Sequence, residues 1–265
     1  MSTYLNSVLY GWYPYVCLTV FLLGSLLRFD SSQYTWRTGS SQLLRRRQLI
    51  WGSNLFHVGI LVIFGGHLFG LLTPVAVFDA VGISHSFKQA LAMTVGGIAG
   101  IACFVGTSLL VHRRLFDSRI RKTSSAGDIL ILLILYAQLT LGLLTIAVSA
   151  QHMDGAEMVK FMGWAQGIVT LHPGAAAFIS DVNPIFKLHL FLGMTVFLVF
   201  PFTRLVHVWS APVWYLGRTG FQVVRTRQPV GNPFRDQSLT VRDLVTKAGT
   251  AKPIGATFPQ PLTGD

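Results

Sequence analysis

Long apolar runs separated by short polar, basic segments dominate this chain. Five runs approach or reach the roughly 20 residues that an α-helix needs to cross a bilayer's hydrocarbon core. They lie at about 5–27, 49–72, 89–111, 128–150 and 186–209. The first starts without a basic n-region and shows no convincing small-residue cleavage site, so it reads as a retained span rather than a signal peptide. No internal repeat is visible. Between the fourth and fifth runs, residues 154–172 read DGAEMVKFMGWAQGIVTLH. Met158, Phe161, Met162, Ala165, Ile168 and Val169 recur there at helical spacing. That pattern predicts an amphipathic helix lying on the outer interface, with Trp164 near headgroup level. From about residue 211 to 265 the chain turns polar and basic, with Pro229, Pro233, Pro253, Pro259 and Pro261. This stretch reads as a cytoplasmic tail, irregular unless a partner orders it. Residues 1–210 form the membrane domain.

Composition strengthens the membrane reading. Of 265 residues, 51% are hydrophobic and only 12% charged, and the mean hydropathy is +0.54. A soluble domain carries about 25% charged residues. The net charge of +11 would suggest a nucleic-acid partner in a soluble protein. Here the basic residues fall in blocks between the apolar runs, so they speak for orientation in the membrane and not for nucleic acid. Arg28, Arg37, Arg45, Arg46 and Arg47 follow the first run, and Arg113, Arg114, Arg119, Arg121 and Lys122 follow the third. The tail after the fifth is basic as well, whereas the opposite loops carry only Lys88, Lys160 and, at a span edge, Lys187. The positive-inside rule then predicts an all-α membrane protein of five transmembrane helices, N-terminus outside and C-terminus cytoplasmic. The two cysteines, Cys17 and Cys103, sit in apolar runs and form no disulfide framework, zinc motif or covalent haem-attachment motif.

Position sorts the eight histidines. His85, His152 and His172 fall in outer segments, and His112 ends the third span. His57, His67, His189 and His207 lie within or at the ends of the second and fifth spans, where an ionisable group is costly and suggests function. His57 and His67 are ten residues apart, about 15 Å along a helix and about 80° short of eclipsed. His189 and His207 are eighteen apart, about 27 Å and five whole turns. The two spans run in opposite directions, so His67 pairs with His189 in the outer half and His57 with His207 in the inner half. The axial separations do not match, and tilt or a kink near Pro201 must absorb the difference.

Zinc would require about four tetrahedral ligands, and no thiolate or carboxylate lies at these depths. Haem iron takes two axial ligands from opposite sides, and histidine is a common one. The chemistry therefore favours two non-covalent, bis-histidine b haems held between helices. Gly59, Gly65, Gly66, Gly70 and Gly193 are candidates to make room for a macrocycle, whereas Gly96 and Gly100 suit close helix packing. Arg204, Arg113 and Arg114 lie at the inner end and are candidates for haem propionates. They serve equally well as positive-inside residues facing anionic lipid.

The runs SNLFHVGILVIFGGHLFGLLTP, SAQHMDGAEMVKFMGWAQ and KLHLFLGMTVFLVFPFTRLVHVWSAPVWYL, with QYTWR and HRRLFDSRIRKTSSAGDILIL, closely resemble the gamma subunit of membrane-bound respiratory nitrate reductase. The resemblance covers about residues 10–225. It implies a cytochrome b of anaerobic respiration in the bacterial cytoplasmic (inner) membrane, anchoring an iron–sulfur beta subunit and a molybdenum-containing alpha subunit. In such a complex the gamma subunit oxidises membrane quinol and electrons pass inward through two haems. By the same resemblance His67 and His189 are the outer haem's ligands, His57 and His207 the inner haem's, and Gly66 and Lys88 match quinol-site positions. Nitrate reduction is then expected on a partner, since this chain has no molybdenum or iron–sulfur ligand set. Lys88 is also one of few outer cations, with the plainer role of a snorkelling lysine open to it. One alternative is the cytochrome b of another quinone-linked enzyme, such as a hydrogenase or formate dehydrogenase. Another is a transporter or haem-free membrane anchor, which predicts polar groups matched to the histidines across the bundle.

Overall fold

A computed structural model describes residues 3–32, 34 and 44–210. The proline-rich basic tail expected at 211–265, and Arg37 in the first loop, lie outside the described residues. Every regular element among those residues is helical. Five helices are long and apolar enough to cross a membrane: Thr3–Ser31, Arg46–Leu72, His85–Phe116, Ala126–Ser149 and Pro184–Phe202. They match the five apolar runs in number and order. The first comprises α1 (Thr3–Ser7), a π-helical turn (Val8–Trp12) and α2 (Tyr13–Ser31). The second is α3 (Arg46–Leu72), the third α5 (His85–Phe116), the fourth α7 (Ala126–Ser149), and the fifth begins with α9 (Pro184–Val199). Short helices α4 (Val75–Ala80), α6 (Ser118–Lys122) and α8 (Ala156–Val169) fill the connections.

Helix ends follow local chemistry rather than the limits of apolarity. Ser84 and Ser125 accept the N–H groups of Phe87 and Asp128 and so cap α5 and α7. Asn183 accepts from the Ile185 N–H, with Pro184 at the first position of α9. The third helix runs past its apolar stretch to Phe116, because Arg113 and Arg114 in its last turn complement the negative end of the helix dipole.

α3 packs along α5, α5 along α7, and α7 along α9, which also packs against α2. The α3–α5 contact is the tightest place in the bundle. A Cβ on Gly59 would stand 2.7 Å from both the Ala99 carbonyl oxygen and Cys103 Cβ. One on Gly106 would stand 2.8 Å from the Gly52 carbonyl oxygen. Gly59 is thus a close-packing glycine and does not line a cofactor gap. Gly96 has open space around its Cα, whereas Gly100 abuts Leu143. The expectation for Gly100 holds; those for Gly59 and Gly96 are reversed, because only the helix rotation decides which face meets a neighbour.

The outer connection is corrected too. Trp164 does not sit at an exposed interface: it is 3% exposed, and its indole N–H donates to the Tyr10 carbonyl at 2.9 Å. α8 buries Trp164, Ala165 and Ile168 against Tyr10, Ala176 and Ile179. An apolar stripe on a short helix can face lipid or protein, and here the 3₁₀ turn Ala175–Ile179 covers it. Gln89, buried on α5, fastens the start of this connection: its amide donates to the Ser149 and His152 carbonyls and accepts from the Gly155 N–H.

The fifth span departs most from expectation. It is not one helix from 186 to 209. α9 stops at Val199, a 3₁₀ turn covers Phe200–Phe202, Thr203 is extended, and a second 3₁₀ segment covers Arg204–Ser210. Pro201 lacks the N–H that would continue the ladder. Beyond it the chain folds back, since the Phe21 ring meets the rings of Phe197 (5.2 Å), Phe200 (4.8 Å) and Trp209 (5.3 Å) alike. In a continuous helix Phe197 and Trp209 would be about 18 Å apart.

Candidate functional site

The four histidines meet in two pairs. The His67 and His189 rings have centroids 6.2 Å apart, and those of His57 and His207 are 6.4 Å apart. The fold-back after Pro201 is what reconciles the spacings: His207 is not 27 Å along a common helix from His189, so a ten-residue and an eighteen-residue separation can face each other.

Three imidazoles are oriented alike. His57 Nδ1–H donates to the Ser53 carbonyl (2.7 Å), His67 Nδ1–H to that of Ile63 (2.8 Å), and His207 Nδ1–H to that of Arg204 (2.6 Å). With the proton held on Nδ1, Nε2 keeps its lone pair, the tautomer a metal ligand needs. His189 differs. Its Nδ1 is buried with no hydrogen-bond partner among the described residues, and Nε2 lies 3.4 Å from the Gln138 side-chain nitrogen. Gly142 on α7 makes room for this ring, for a Cβ there would stand 3.1 Å from its Cε1.

The pair spacing can be tested against an iron held between two imidazoles. A metal–nitrogen bond is about 2 Å. A ring nitrogen lies about 1.1 Å from the centre of a five-membered ring with bonds near 1.35 Å. Two such arms span about 6.2 Å, close to the separation in both pairs. Among the described residues no three His, Cys, Asp or Glu side chains cluster as a polydentate metal site; these histidines come in twos. On α3 a Cβ at Gly65, Gly66 or Gly70 would meet nothing within 4 Å. The residues present therefore fit a flat group that paired imidazoles would hold, with His189 exchanging its contact to the Gln138 amide for that group. Gly193 does not line open space; it abuts the Gln138 amide.

The arginines at the His57–His207 end separate into two settings. Arg114 and Arg204 both reach Asp128 in the first turn of α7, at 3.5 and 3.9 Å. Two guanidiniums around one carboxylate leave a net positive charge beside the turn that carries His207. Arg113 is not in that group: it is 2% exposed and donates to the Leu44 carbonyl at 2.8 Å. At the opposite end, Lys88 is buried rather than snorkelling. It is 6% exposed, and its Nζ donates to the Gly70 carbonyl (2.8 Å) and Met162 Sδ (2.8 Å) and sits 3.8 Å from the Phe78 ring centre. Gly66 is four residues, about one turn, before Gly70, whose carbonyl Lys88 holds.

Sequence reasoning passed over Gln138, Asp128 and Arg28. A lone amide within a span was a usable signal for Gln138, since polar side chains there seek a partner on a neighbouring helix. Asp128 follows Ser125 by three residues in the capping arrangement that opens a helix. Arg28 looked like one more orientation charge.

Comparison with known proteins assigns the chain to a family. The family model for the nitrate reductase gamma subunit matches residues 6–227. The chain is 54% identical over 224 residues to the respiratory nitrate reductase 1 gamma chain of Escherichia coli K12, covering 84% of this chain and 99% of that one. It is 41% identical over 225 residues to the nitrate reductase gamma chain of Bacillus subtilis 168, covering 84% of this chain and 99% of that relative. By family model and by full-length identity, the chain belongs to the nitrate reductase gamma subunit family.

Proposed function

We propose that this chain is the quinol-oxidising membrane subunit of a respiratory nitrate reductase, holding two b haems on its histidine pairs. His67 and His189 would hold the outer haem, His57 and His207 the inner one. The observation that carries this reading is the pair of ring separations, 6.2 and 6.4 Å, between α3 and the broken fifth span of a nitrate reductase gamma chain. Bound haem iron supplies one-electron transfer between a quinol on the outer side and an iron–sulfur partner on the inner side. The basic inner loops support an outside N-terminus and a cytoplasmic C-terminus in a bacterial inner membrane, with beta and alpha subunits bound on the cytoplasmic face and nitrate reduced there.

The protein's own groups divide the work. Lys88 would bind and orient a quinol oxygen. Its contact with the Met162 sulfur, a weak acceptor, is the one a quinol oxygen would displace, while the Gly70 carbonyl continues to hold the ammonium. Donation from a cation favours the deprotonated quinol oxygen, and the released protons leave on the outer side. Gly66 lets a flat ring approach α3. Arg114 and Arg204 offer the excess positive charge that propionates require, and Asp128 keeps the two guanidiniums from repelling one another.

The test is a reduced-minus-oxidised optical spectrum of the purified chain, followed by reduction with a quinol analogue. Two b-type signals are expected, and Lys88→Ala should slow reduction by the quinol analogue but not by dithionite. Absence of b-type bands would overturn the reading; equal rates in wild type and Lys88→Ala would remove Lys88 from it.

A further inference from the structure

The break in the fifth span is held by the first. Arg28, in the last turn of α2, donates from one guanidinium nitrogen to the Pro201 carbonyl at 2.6 Å and to the Thr203 carbonyl at 2.9 Å. These are carbonyls that a broken helix leaves in need of donors. Seven and four residues earlier on the same face, Phe21 and Gly24 meet the same break. Phe21 stacks on Trp209, and a Cβ on Gly24 would stand 2.9 Å from Pro201 Cγ. Thr203 adds a bond of its own, donating its hydroxyl to the Phe200 carbonyl at 3.1 Å.

This stripe determines where His207 points. The 3₁₀ segment that starts at Arg204 follows directly on the clasped carbonyl of Thr203, and the Arg204 carbonyl receives the His207 Nδ1–H. Arg28, Thr203, Arg204 and His207 form one chain of contacts from the first span to the inner histidine pair. We infer that Arg28 is a positioning residue for that pair, setting the His207 imidazole opposite His57 by fastening the fold-back after Pro201. One guanidinium nitrogen makes both bonds; a lysine side chain is one bond shorter, so its ammonium would stop short of that point and hold the two carbonyls less well. His67 and His189 lie on regular helix and have no share in this clasp. The effect is therefore confined to the inner haem of the function proposed above, on which the inference rests.

The experiment compares wild type, Arg28→Lys and Arg28→Gln in the full chain in native membranes, with potentiometric optical and electron paramagnetic resonance spectra resolving the two haems. The inner signal is assigned as the one lost in His207→Tyr. Arg28→Gln is expected to weaken haem retention at the inner site by about 10- to 100-fold, the usual consequence of losing a group that orients a ligand. Arg28→Lys should keep the inner haem with a shifted signal and potential. The outer haem should match wild type in both. An inner haem unchanged in Arg28→Lys, or equal changes at both haems, overturns the inference; if Arg28→Gln fails to accumulate, the lysine variant alone decides. A wild-type chain without b-type bands instead overturns the haem reading itself, so the two failures are told apart.

Discussion

Gly59 and Gly66 lie on one helix seven residues apart, and the same substitution at each should have opposite effects. At Gly59 an added Cβ stands 2.7 Å from the Ala99 carbonyl oxygen and Cys103 Cβ and 2.9 Å from the Cys103 nitrogen. Carbon atoms settle about 3.5–4.0 Å apart, so α3 and α5 must separate by about 1 Å. The obstructing atoms belong largely to the backbone of a continuous helix and cannot swing aside. Overpacking of this kind costs about 1–3 kcal/mol, and alanine's helix advantage over glycine offsets about 1 kcal/mol. With a rigid obstacle the upper part of that range applies, leaving a net loss of about 2 kcal/mol. At Gly66 nothing lies within 4 Å, so only the propensity gain remains, up to about 1 kcal/mol. For a chain of this size about 2 kcal/mol corresponds to a fall in Tm of roughly 4–8 °C. Thermal unfolding in mild detergent, followed by far-ultraviolet circular dichroism, measures this. Gly59→Ala should melt several degrees below wild type and Gly66→Ala at or above it. In the proposed function, any effect of Gly66→Ala falls instead on the outer haem and on quinol reduction. A Gly59→Ala protein as stable as wild type would refute the packing argument, and so would a Gly66→Ala protein that melts lower with its haem content unchanged.

Two further outcomes follow from single contacts. Trp164→Phe leaves the Tyr10 carbonyl without its indole donor in a buried site and should cost about 1–3 kcal/mol; melting read by circular dichroism checks it, and an unchanged Tm would show that α8 is not anchored there. The Asp117 carboxyl is held below the usual carboxylate range by the backbone N–H group of Ile120 first, then by that of Arg119 and by the Arg45 guanidinium, which together outweigh the opposing effect of desolvation. A group depressed in the folded state contributes stability above its unfolded pKa and loses it as pH falls through the folded value. Wild type should therefore lose stability on acidification below the ordinary carboxylate range more steeply than Asp117→Asn; parallel melting curves in the two proteins would count against the carboxylate.

The order of apolar runs carried the fold as far as five spans, since a bilayer requires about 20 apolar residues per helix and that demand is written locally. The histidine pairing was legible from order along the chain: the second and fifth spans run in opposite directions, which puts His67 level with His189 and His57 with His207. Local sequence could not say which face of each helix meets another. Gly59, Gly96 and Gly193 were therefore misread, and Trp164 was assigned to the membrane surface when it is buried against Tyr10. Nor could it show that Lys88 is buried, because its partners Gly70, Phe78 and Met162 come from three other elements. The fold-back after Pro201 is the clearest case. Proline announces that the ladder is broken, but the direction the chain then takes is decided by a guanidinium and an aromatic ring on the first span, more than 170 residues away. Spacing along one helix is a local quantity; the distance between two histidines that face each other is set by every helix that holds them.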